Sequence, residues 1–420
     1  MPKLLLVAYH FPPEPTAAAV RLGQVASNLP KFGWEVSVLS RPREDPVPAA
    51  RVIRTHKAPQ GWLSARQWYH ALDGGLPFKW LVRLALNISS FPDQSIWWVP
   101  VAINAALRSG ERYDAVMTSY FPSAGHFIGW HLSNKWRVPW IADYQDLWSG
   151  NGIARSKSLR SRLGRHVERL AARHAAAITC CKPSFAQALR RIHGAQAPYI
   201  KTIPFACDVD AWRSVPDTAP SEFGICYAGS FYSGHSSPDL LFDVISQMRA
   251  AGSAAGRAAR FHYYGQSGDQ VMASARRANV VDIVRLHGCV DRHAVMCGER
   301  RAAVLVSLFE VEGELRRLWL PSKLFEYAGA RRWVLGIGPA ASEVEEFIAR
   351  NNLGFYASDR ASCARAIEDC YALFSAGRYG PQTNADANLL TPTAVAQRFA
   401  RLLDRVVGVQ PEESRESASA

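Results

Sequence analysis

The chain of 420 residues contains no apolar run approaching the eighteen residues that a membrane-spanning helix needs. Its eight cysteines, at positions 180, 181, 207, 226, 289, 297, 363 and 370, form no C-x-x-C pair. A structural zinc site is therefore not expected. Cysteines within apolar strands are typical of reduced core thiols, which makes the cytoplasm the expected compartment. With 48% hydrophobic and 20% charged residues, the composition excludes a mainly disordered or collagen-like chain.

Acidic residues are scarce in the first half of the chain. Residues 1–201 hold 26 of the 49 Lys and Arg but only 11 of the 36 Asp and Glu, a net charge of +15. The remaining residues carry −2, so the whole excess of +13 lies in the first half. Such asymmetry predicts an anionic partner there, with nucleic acid, a membrane surface and a phosphorylated substrate as the alternatives.

Short apolar runs alternate with segments of helical periodicity in two separate series. The pattern predicts an α/β protein with two Rossmann-like doubly wound domains facing across a cleft. We expect an N-terminal domain over residues 1–205, a second domain over 206–390, a helix over 391–408 and a disordered tail over 409–420. Ligands in such sheets bind beyond the carboxyl ends of the strands, so the site is expected in the cleft.

Residues 51–100 interrupt this alternation with eight Trp, Tyr and Phe residues among basic ones. The segment PFKWLVRLALNI, residues 77–88, has a mixed apolar and basic face. A helix packed on the domain is favoured over a helix lying on a membrane surface, because most amphipathic helices bury their apolar face.

Four stretches carry a resemblance to a known family: YHFPPEPTAAAVR (9–21), FPDQSIWW (91–98), VPWIADYQDLW (138–148) and LPSKLFEYAGARRWVLGIG (320–338). Together they resemble the retaining glycosyltransferases of family four, which have the GT-B fold. The last is similar to the Pro-Ser-Lys-x-x-Glu-Tyr signature of bacterial polysaccharide glycosyltransferases. The resemblance extends from residue 3 to about residue 407.

The fourth stretch predicts an anion site at the start of a helix. Free backbone N–H groups at Ser322 would face a diphosphate, and Lys323 and Arg316 would add positive charge. The resemblance implies that the Glu326 carboxylate accepts hydrogen bonds from the ribose hydroxyls. The alternative is that Glu326 only interacts with the helix dipole.

The turns after the strands of the second half complete the predicted donor site. Gly229, followed by Ser230, would let the backbone approach a phosphate. By resemblance, Gly265 and Val290 flank the nucleotide base, although ordinary turn chemistry is the alternative. Many family members carry a Glu where this chain has Leu318, and Glu312 or Glu314 are candidate replacements.

In the first half, Asp143 and Asp146 follow a predicted strand, where paired carboxylates could orient an acceptor hydroxyl or stabilise positive charge on the sugar. The alternative is a helix cap. His126 is a candidate base, against the more common structural role of a single histidine on a helix.

Three further residues are candidates for binding the acceptor in the first half. His10 and Arg21 lie in or after the loop that follows the first strand. Tyr120 lies near the end of another predicted strand, close in sequence to His126.

The resemblance implies a nucleotide-sugar-dependent, retaining glycosyltransferase that needs neither a metal nor another cofactor. The donor is expected to be of the UDP or GDP type and the acceptor a sugar, a lipid-linked molecule or a small molecule. A nucleic-acid partner is not expected, and peripheral binding at the inner face of the membrane stays open. The alternative functions are a sugar-nucleotide 2-epimerase on the same fold and a non-catalytic sugar-nucleotide- or nucleic-acid-binding protein.

Overall fold

A computed structural model describes residues 1–14, 16–41, 51–55, 91, 93–149, 159–194, 198–231, 235–310, 318, 320–381 and 391–408. The chain divides into two compact units, Met1–Pro204 with Thr393–Ala420, and Phe205–Pro392. The C-terminal helix therefore belongs to the first unit. The segments predicted over 77–88 and 409–420 lie outside the described residues.

The first unit is built on a parallel sheet of seven strands in the order β3-β2-β1-β4-β5-β6-β7. The strands are β1 (Lys3–Ala8), β2 (Glu35–Ser40), β3 (Arg51–Arg54), β4 (Ala115–Tyr120), β5 (Trp140–Tyr144), β6 (Ala177–Cys180) and β7 (Tyr199–Thr202). Its helices are α1 (Ala17–Asn28), α2 (Trp98–Arg108), α3 (Ala124–Trp136), α4 (Leu159–Ala172), α5 (Pro183–His193) and, from the end of the chain, α14 (Pro392–Val407).

The second unit has a parallel sheet of six strands in the order β10-β9-β8-β11-β12-β13. The strands are β8 (Gly224–Ala228), β9 (Arg260–Tyr264), β10 (Val284–Gly288), β11 (Val304–Leu308), β12 (Trp333–Ile337) and β13 (Gly354–Ala357). The helices are α6 (Val209–Arg213), α7 (Asp239–Ala250), α8 (Ala254–Ala258), α9 (Gly268–Arg277), α10 (Arg292–Arg301), α11 (Lys323–Ala330), α12 (Glu343–Arg350) and α13 (Arg360–Ser375). The two parallel α/β units confirm the predicted fold class.

The strands at the middle of each sheet are buried on both faces. All residues of β4, β5 and β11 are buried, which explains their continuous apolar sequence, since parallel strands are covered by helices on both sides. In contrast, β10 lies at a sheet edge and four of its five residues are exposed. The order of the strands reverses between β1 and β4 and between β8 and β11, which places one topological switch point in each unit.

One boundary differs from what the sequence pattern indicates. The helical periodicity of residues 17–32 predicts a single helix, but α1 ends at Asn28, and a 3₁₀ turn, Leu29–Phe32, follows with Pro30 in its first turn. Gly33 then ends the turn at a φ of 81°, a left-handed conformation that glycine adopts readily. No helix in the described ranges is both long and apolar enough to cross a membrane.

A buried ion pair joins distant parts of the first unit. Arg21 on α1 donates from Nε and Nη2 to the two carboxylate oxygens of Asp143 on β5, both at 3.3 Å. The same guanidinium donates to the carbonyls of Ile203 (2.9 Å) and Pro204 (2.6 Å), and Thr179 donates to Asp143 at 2.6 Å. Arg21 is 2% exposed and Asp143 is 0% exposed. Both charges are therefore compensated within the core.

We expect Arg21→Met to lower the free energy of unfolding of the first unit by about 3–5 kcal/mol, because it leaves the Asp143 carboxylate buried without its partner. Lys3→Met, which breaks an exposed ion pair with Glu111 at 3.1 Å, should have a much smaller effect. Urea unfolding followed by circular dichroism measures both.

The double variant Arg21→Met with Asp143→Leu should recover part of the lost stability, since it removes both charges. Equal stability of Arg21→Met and Lys3→Met would show that the buried pair does not stabilise the fold.

Candidate functional site

In the second unit, three loops meet at the carboxyl ends of β8, β9 and β10. The Gly229 N–H donates to the Tyr264 carbonyl at 2.8 Å, and the Gly265 N–H donates to the Gly288 carbonyl at 2.9 Å. A Cβ built on Gly265 would lie 2.3 Å from the Gly229 carbonyl oxygen, so this close approach requires glycine. Gly229 itself has a φ of 132°, a conformation that other residues rarely adopt. The backbone at Gly229 and Ser230 is exposed and could approach a ligand closely.

Lys323, the first residue of α11, lies beside the Gly229 loop at the topological switch point. Its Nζ is 3.5 Å from the centroid of the Tyr227 ring and 3.1 Å from the position that a Cβ on Gly229 would occupy. Ser322, the residue before α11, makes no side-chain capping hydrogen bond. The Leu324 and Phe325 N–H groups donate to the carbonyls of Pro321 (3.1 Å) and Ser322 (3.0 Å). The start of α11 therefore presents the Lys323 N–H, without a side-chain cap, next to the Lys323 ammonium group, an arrangement suited to an anion.

The charge of this site depends on two buried groups. Burial lowers the pKa of Lys323 to about 7, while Glu299, Cys226 and Glu326 act in the opposite direction. Glu299 on α10 is 2% exposed, and burial raises its pKa to about 8. Its Oε2 has no hydrogen-bond partner in the described part of the chain. Loss of a proton from either group lowers the net charge of the site by one.

Glu326 lies one turn into α11 and is partly exposed. Arg292, at the start of α10, donates to Glu326 at 3.4 Å and to Asp208 at 3.1 Å. This contact orients the Glu326 carboxylate while a second oxygen stays available to a ligand. Val290, two residues before Arg292, is 41% exposed, which is compatible with its predicted contact to a base.

In the first unit, three predicted residues lie at the carboxyl edge of neighbouring strands. His10 follows β1, Tyr120 ends β4, and Asp146 follows β5. His10 Nδ1 lies 2.6 Å from Glu14 Oε2, and Tyr120 stacks on Tyr144 with 5.9 Å between the ring centroids. Asp146 has an exposed side chain in crowded surroundings: desolvation by neighbouring protein raises its pKa, and Lys182 lowers it. His10 and Asp146 therefore remain accessible candidates at this edge.

Three other predicted residues of the first unit are buried. Arg21 and Asp143 are paired with each other in the core, which favours a structural role over acceptor binding and catalysis. His126 is 0% exposed, its Nδ1 lies 2.8 Å from the Thr118 hydroxyl, and burial lowers its pKa to about 3. A neutral imidazole with no path to solvent is a poor general base at neutral pH. The geometry thus favours the structural alternative for all three.

Arg316, Glu312 and Glu314 lie outside the described residues, so their predicted contributions stay predictions. Leu318 is described and occupies the position where many members of the resembled family carry a Glu. Within the described ranges, no group of three or more His, Cys, Asp or Glu side chains could hold a metal ion.

Arg292, Glu299 and Glu168 were not identified from the sequence. Glu168 on α4 is 0% exposed, accepts a hydrogen bond from the Ser149 hydroxyl, and burial raises its pKa to about 7. Each is a charged residue in a strongly basic or mixed helix, where a solvated surface position is the usual interpretation. The only available signal was helical phase, which places Glu168 on the same face as Ala171 and Ala172.

Comparison with known proteins agrees with the architecture. A family model described as a glycosyl transferase 4-like domain matches residues 16–206, a little under half of the chain. No curated protein sequence matches the chain. All of the structural neighbours given below are below 25% identity, so they support the fold alone.

Sucrose-phosphate synthase from Thermosynechococcus elongatus has a TM-score of 0.69 at 16% identity, covering 98% of this chain and 100% of that one. HepE of Anabaena, in a complex with UDP and glucose, has a TM-score of 0.62 at 13% identity, with coverages of 96% and 100%. A protein from Listeria monocytogenes described as a UDP-N-acetylglucosamine 2-epimerase has a TM-score of 0.58 at 11% identity, with coverages of 97% and 97%.

We expect inorganic pyrophosphate to bind the protein less tightly as the pH rises above 7, by up to about tenfold per pH unit, because the site then loses one positive charge. In the protein without a ligand, the pKa of Lys323 is about 7. The ammonium form, which the anion needs, is therefore fully present only below that pH. Isothermal titration calorimetry between pH 6.5 and 8.5 measures the effect.

Lys323→Arg is the matched variant, since its guanidinium keeps its charge over this range. Its pH profile should be flatter than that of the unmodified protein. Parallel profiles would exclude Lys323 as the group that titrates.

Proposed function

We propose that the protein is a retaining glycosyltransferase of the family-four type, which transfers a sugar from a nucleotide-sugar donor to an acceptor hydroxyl. The observation that supports this most directly is the meeting of the Gly229 loop with Lys323 and the uncapped start of α11 at a topological switch point. Ligands in open parallel sheets bind at such points. The match of residues 16–206 to a glycosyl transferase 4-like domain supports the same proposal from the other half of the chain.

In this proposal the second unit binds the donor. The backbone N–H groups of Ser230 and Lys323 hold the diphosphate, Gly229 lets the chain approach it closely, and the Lys323 ammonium group neutralises its charge. Glu326 accepts hydrogen bonds from the ribose hydroxyls, with Arg292 fixing its orientation. These groups stabilise the negative charge that develops on the leaving diphosphate, so the reaction is proposed to need no metal ion. The binding of UDP by HepE makes UDP-sugars the first donors to examine.

The first unit is proposed to bind the acceptor. His10 and Asp146 lie on the carboxyl edge of the sheet. Tyr120, which is 5% exposed and stacks on Tyr144, supports this edge from below and does not contact the acceptor directly. The Asp146 carboxylate can accept a hydrogen bond from an acceptor hydroxyl and orient it. The leaving diphosphate takes the hydroxyl proton, as the retaining mechanism requires.

The excess of positive charge in the first half supports an acceptor with a phosphate group or one held at an anionic membrane surface. A lipid-linked or polysaccharide acceptor is consistent with both. We propose a cytoplasmic location, with peripheral binding at the inner face of the membrane.

The 2-epimerase function is the alternative that one neighbour of the fold supports. An epimerase converts the nucleotide sugar without an acceptor. Incubation with the donor alone should therefore leave the sugar unchanged, apart from slow hydrolysis, if the protein is a transferase. Epimerisation of the donor sugar in that incubation would replace our proposal with the alternative.

We expect Glu326→Gln to weaken UDP binding by about tenfold to a hundredfold, because a hydrogen bond to a charged carboxylate contributes about 1.5–3 kcal/mol. The unmodified protein should discriminate against 2′-deoxy-UDP, and this discrimination should disappear in the variant. Calorimetric titration of both nucleotides gives the four affinities of the cycle.

Glu346→Gln is the control, since Glu346 on α12 is an exposed carboxylate of the same unit. It should bind both nucleotides like the unmodified protein. If Glu326→Gln still discriminates against the 2′-deoxy nucleotide as strongly as the unmodified protein, the ribose assignment is wrong.

A further inference from the structure

A second pocket with a strong positive charge lies between α4 and the end of α5 in the first unit. It has a volume of about 160 Å³ and is lined by His166, Arg169, Leu170, Arg173 and His193. Four of these five side chains carry or can take up a positive charge, and none is acidic. The volume of a water molecule in the liquid is about 30 Å³, so the pocket has room for a group of several heavy atoms.

The two helices are fixed at the pocket by a specific contact. Arg169 Nε on α4 donates to the Ile192 carbonyl in the last turn of α5, at 2.5 Å. This hydrogen bond uses one of the five N–H groups of the guanidinium. The pocket therefore has a defined wall on each side, and the other N–H groups of Arg169 remain available to a ligand.

One buried polar atom at the pocket has no partner in the described part of the chain. Nε2 of His193 is buried and makes no hydrogen bond. Neither Arg169 nor Arg173 forms an ion pair with a carboxylate within the described ranges. A buried ring nitrogen without a partner costs free energy, which a bound acceptor or donor would recover.

Glu168, the one acidic residue of α4, is not among the residues that line the pocket. Glu168 precedes Arg169 in the chain, but its side chain is fully buried and its Oε2 is bonded to the Ser149 hydroxyl. Burial and the charge of Arg169 together lower the pKa of His193 to about 4. His193 is therefore neutral at neutral pH, and Arg169 and Arg173 supply the positive charge of the pocket.

We propose that this α4–α5 pocket binds a phosphate group, at a site separate from the candidate donor site of the second unit. Guanidinium groups bind phosphate through paired N–H donors, and Arg169 and Arg173 both line the pocket together with His193. The phosphate can belong to a soluble phosphorylated molecule or to a phospholipid headgroup, since the two have the same chemistry at the pocket.

The test uses the full chain and sn-glycerol 3-phosphate as the soluble probe. Binding should be saturable and should shift the ring resonances of His193 in NMR spectra. Arg173→Gln should weaken it at least tenfold. Arg191→Gln removes the same charge from an exposed position on α5 outside the pocket, and it should change the affinity less than twofold.

A second arm distinguishes the two sources of phosphate, using vesicles of phosphatidylglycerol and of phosphatidylcholine. If the phosphate belongs to a soluble molecule, Arg173→Gln should weaken only the binding of glycerol phosphate. If the phosphate belongs to a phospholipid headgroup, Arg173→Gln should also weaken binding to phosphatidylglycerol vesicles, whereas Arg191→Gln should not. Binding of glycerol phosphate that does not saturate, or equal losses in the two variants, would overturn the proposal.

Discussion

The buried pair of Arg21 and Asp143 is the interaction on which the first unit depends. It joins α1 to β5 and reaches the carbonyls that follow β7, and the same guanidinium lies 5.3 Å from the Phe399 ring on α14. Helix α14 comes from the end of the chain, so one side chain links both ends of the sequence in one core. The pair also holds β5 next to α1, and β5 is the strand after which Asp146 lies. Residues at the centre of this network position the accessible edge and do not themselves contact solvent.

The candidate site of the second unit contains few charged groups. Its half of the sequence is slightly acidic, yet Lys323 at the start of α11 places a cation beside the Gly229 loop. Because burial lowers its pKa to about 7, the ammonium group is poised between its two forms. A diphosphate would favour the charged form, and the buried Glu299 would do the same once ionised. Ligand binding, proton uptake and the charge of this pair are therefore coupled.

The sequence predicted the elements whose signals are local. The apolar runs over 3–8 and 260–264 predict strands, and β1 and β9 have these bounds. The helical pattern over 322–330 predicts α11, which begins one residue later. The Arg21–Asp143 contact could not be predicted, because its partners are 122 residues apart and each is also a plausible functional residue. Arg292 was missed for the same reason, since its contact with Glu326 spans 34 residues. Helices α10 and α13 lack the clear apolar periodicity that identified their neighbours, which explains why the pattern did not show them.

In the described part of the first unit, the positions of the carboxylates show which basic residues have an acidic partner. Glu14, Glu111 and Asp143 each pair with at least one cation near the amino end of the unit. The charges compensated in this way are those of Lys3, Arg21, Arg41 and Arg51. Residues 159–193, which contain α4 and α5, have one acidic residue, Glu168, and it is buried. In the part of the first unit that the structure describes, α4 and α5 therefore carry a cluster of basic residues with no exposed carboxylate among them. Such a cluster attracts a discrete anion more effectively than the same charge spread over the unit, because closely spaced donors act on a single group.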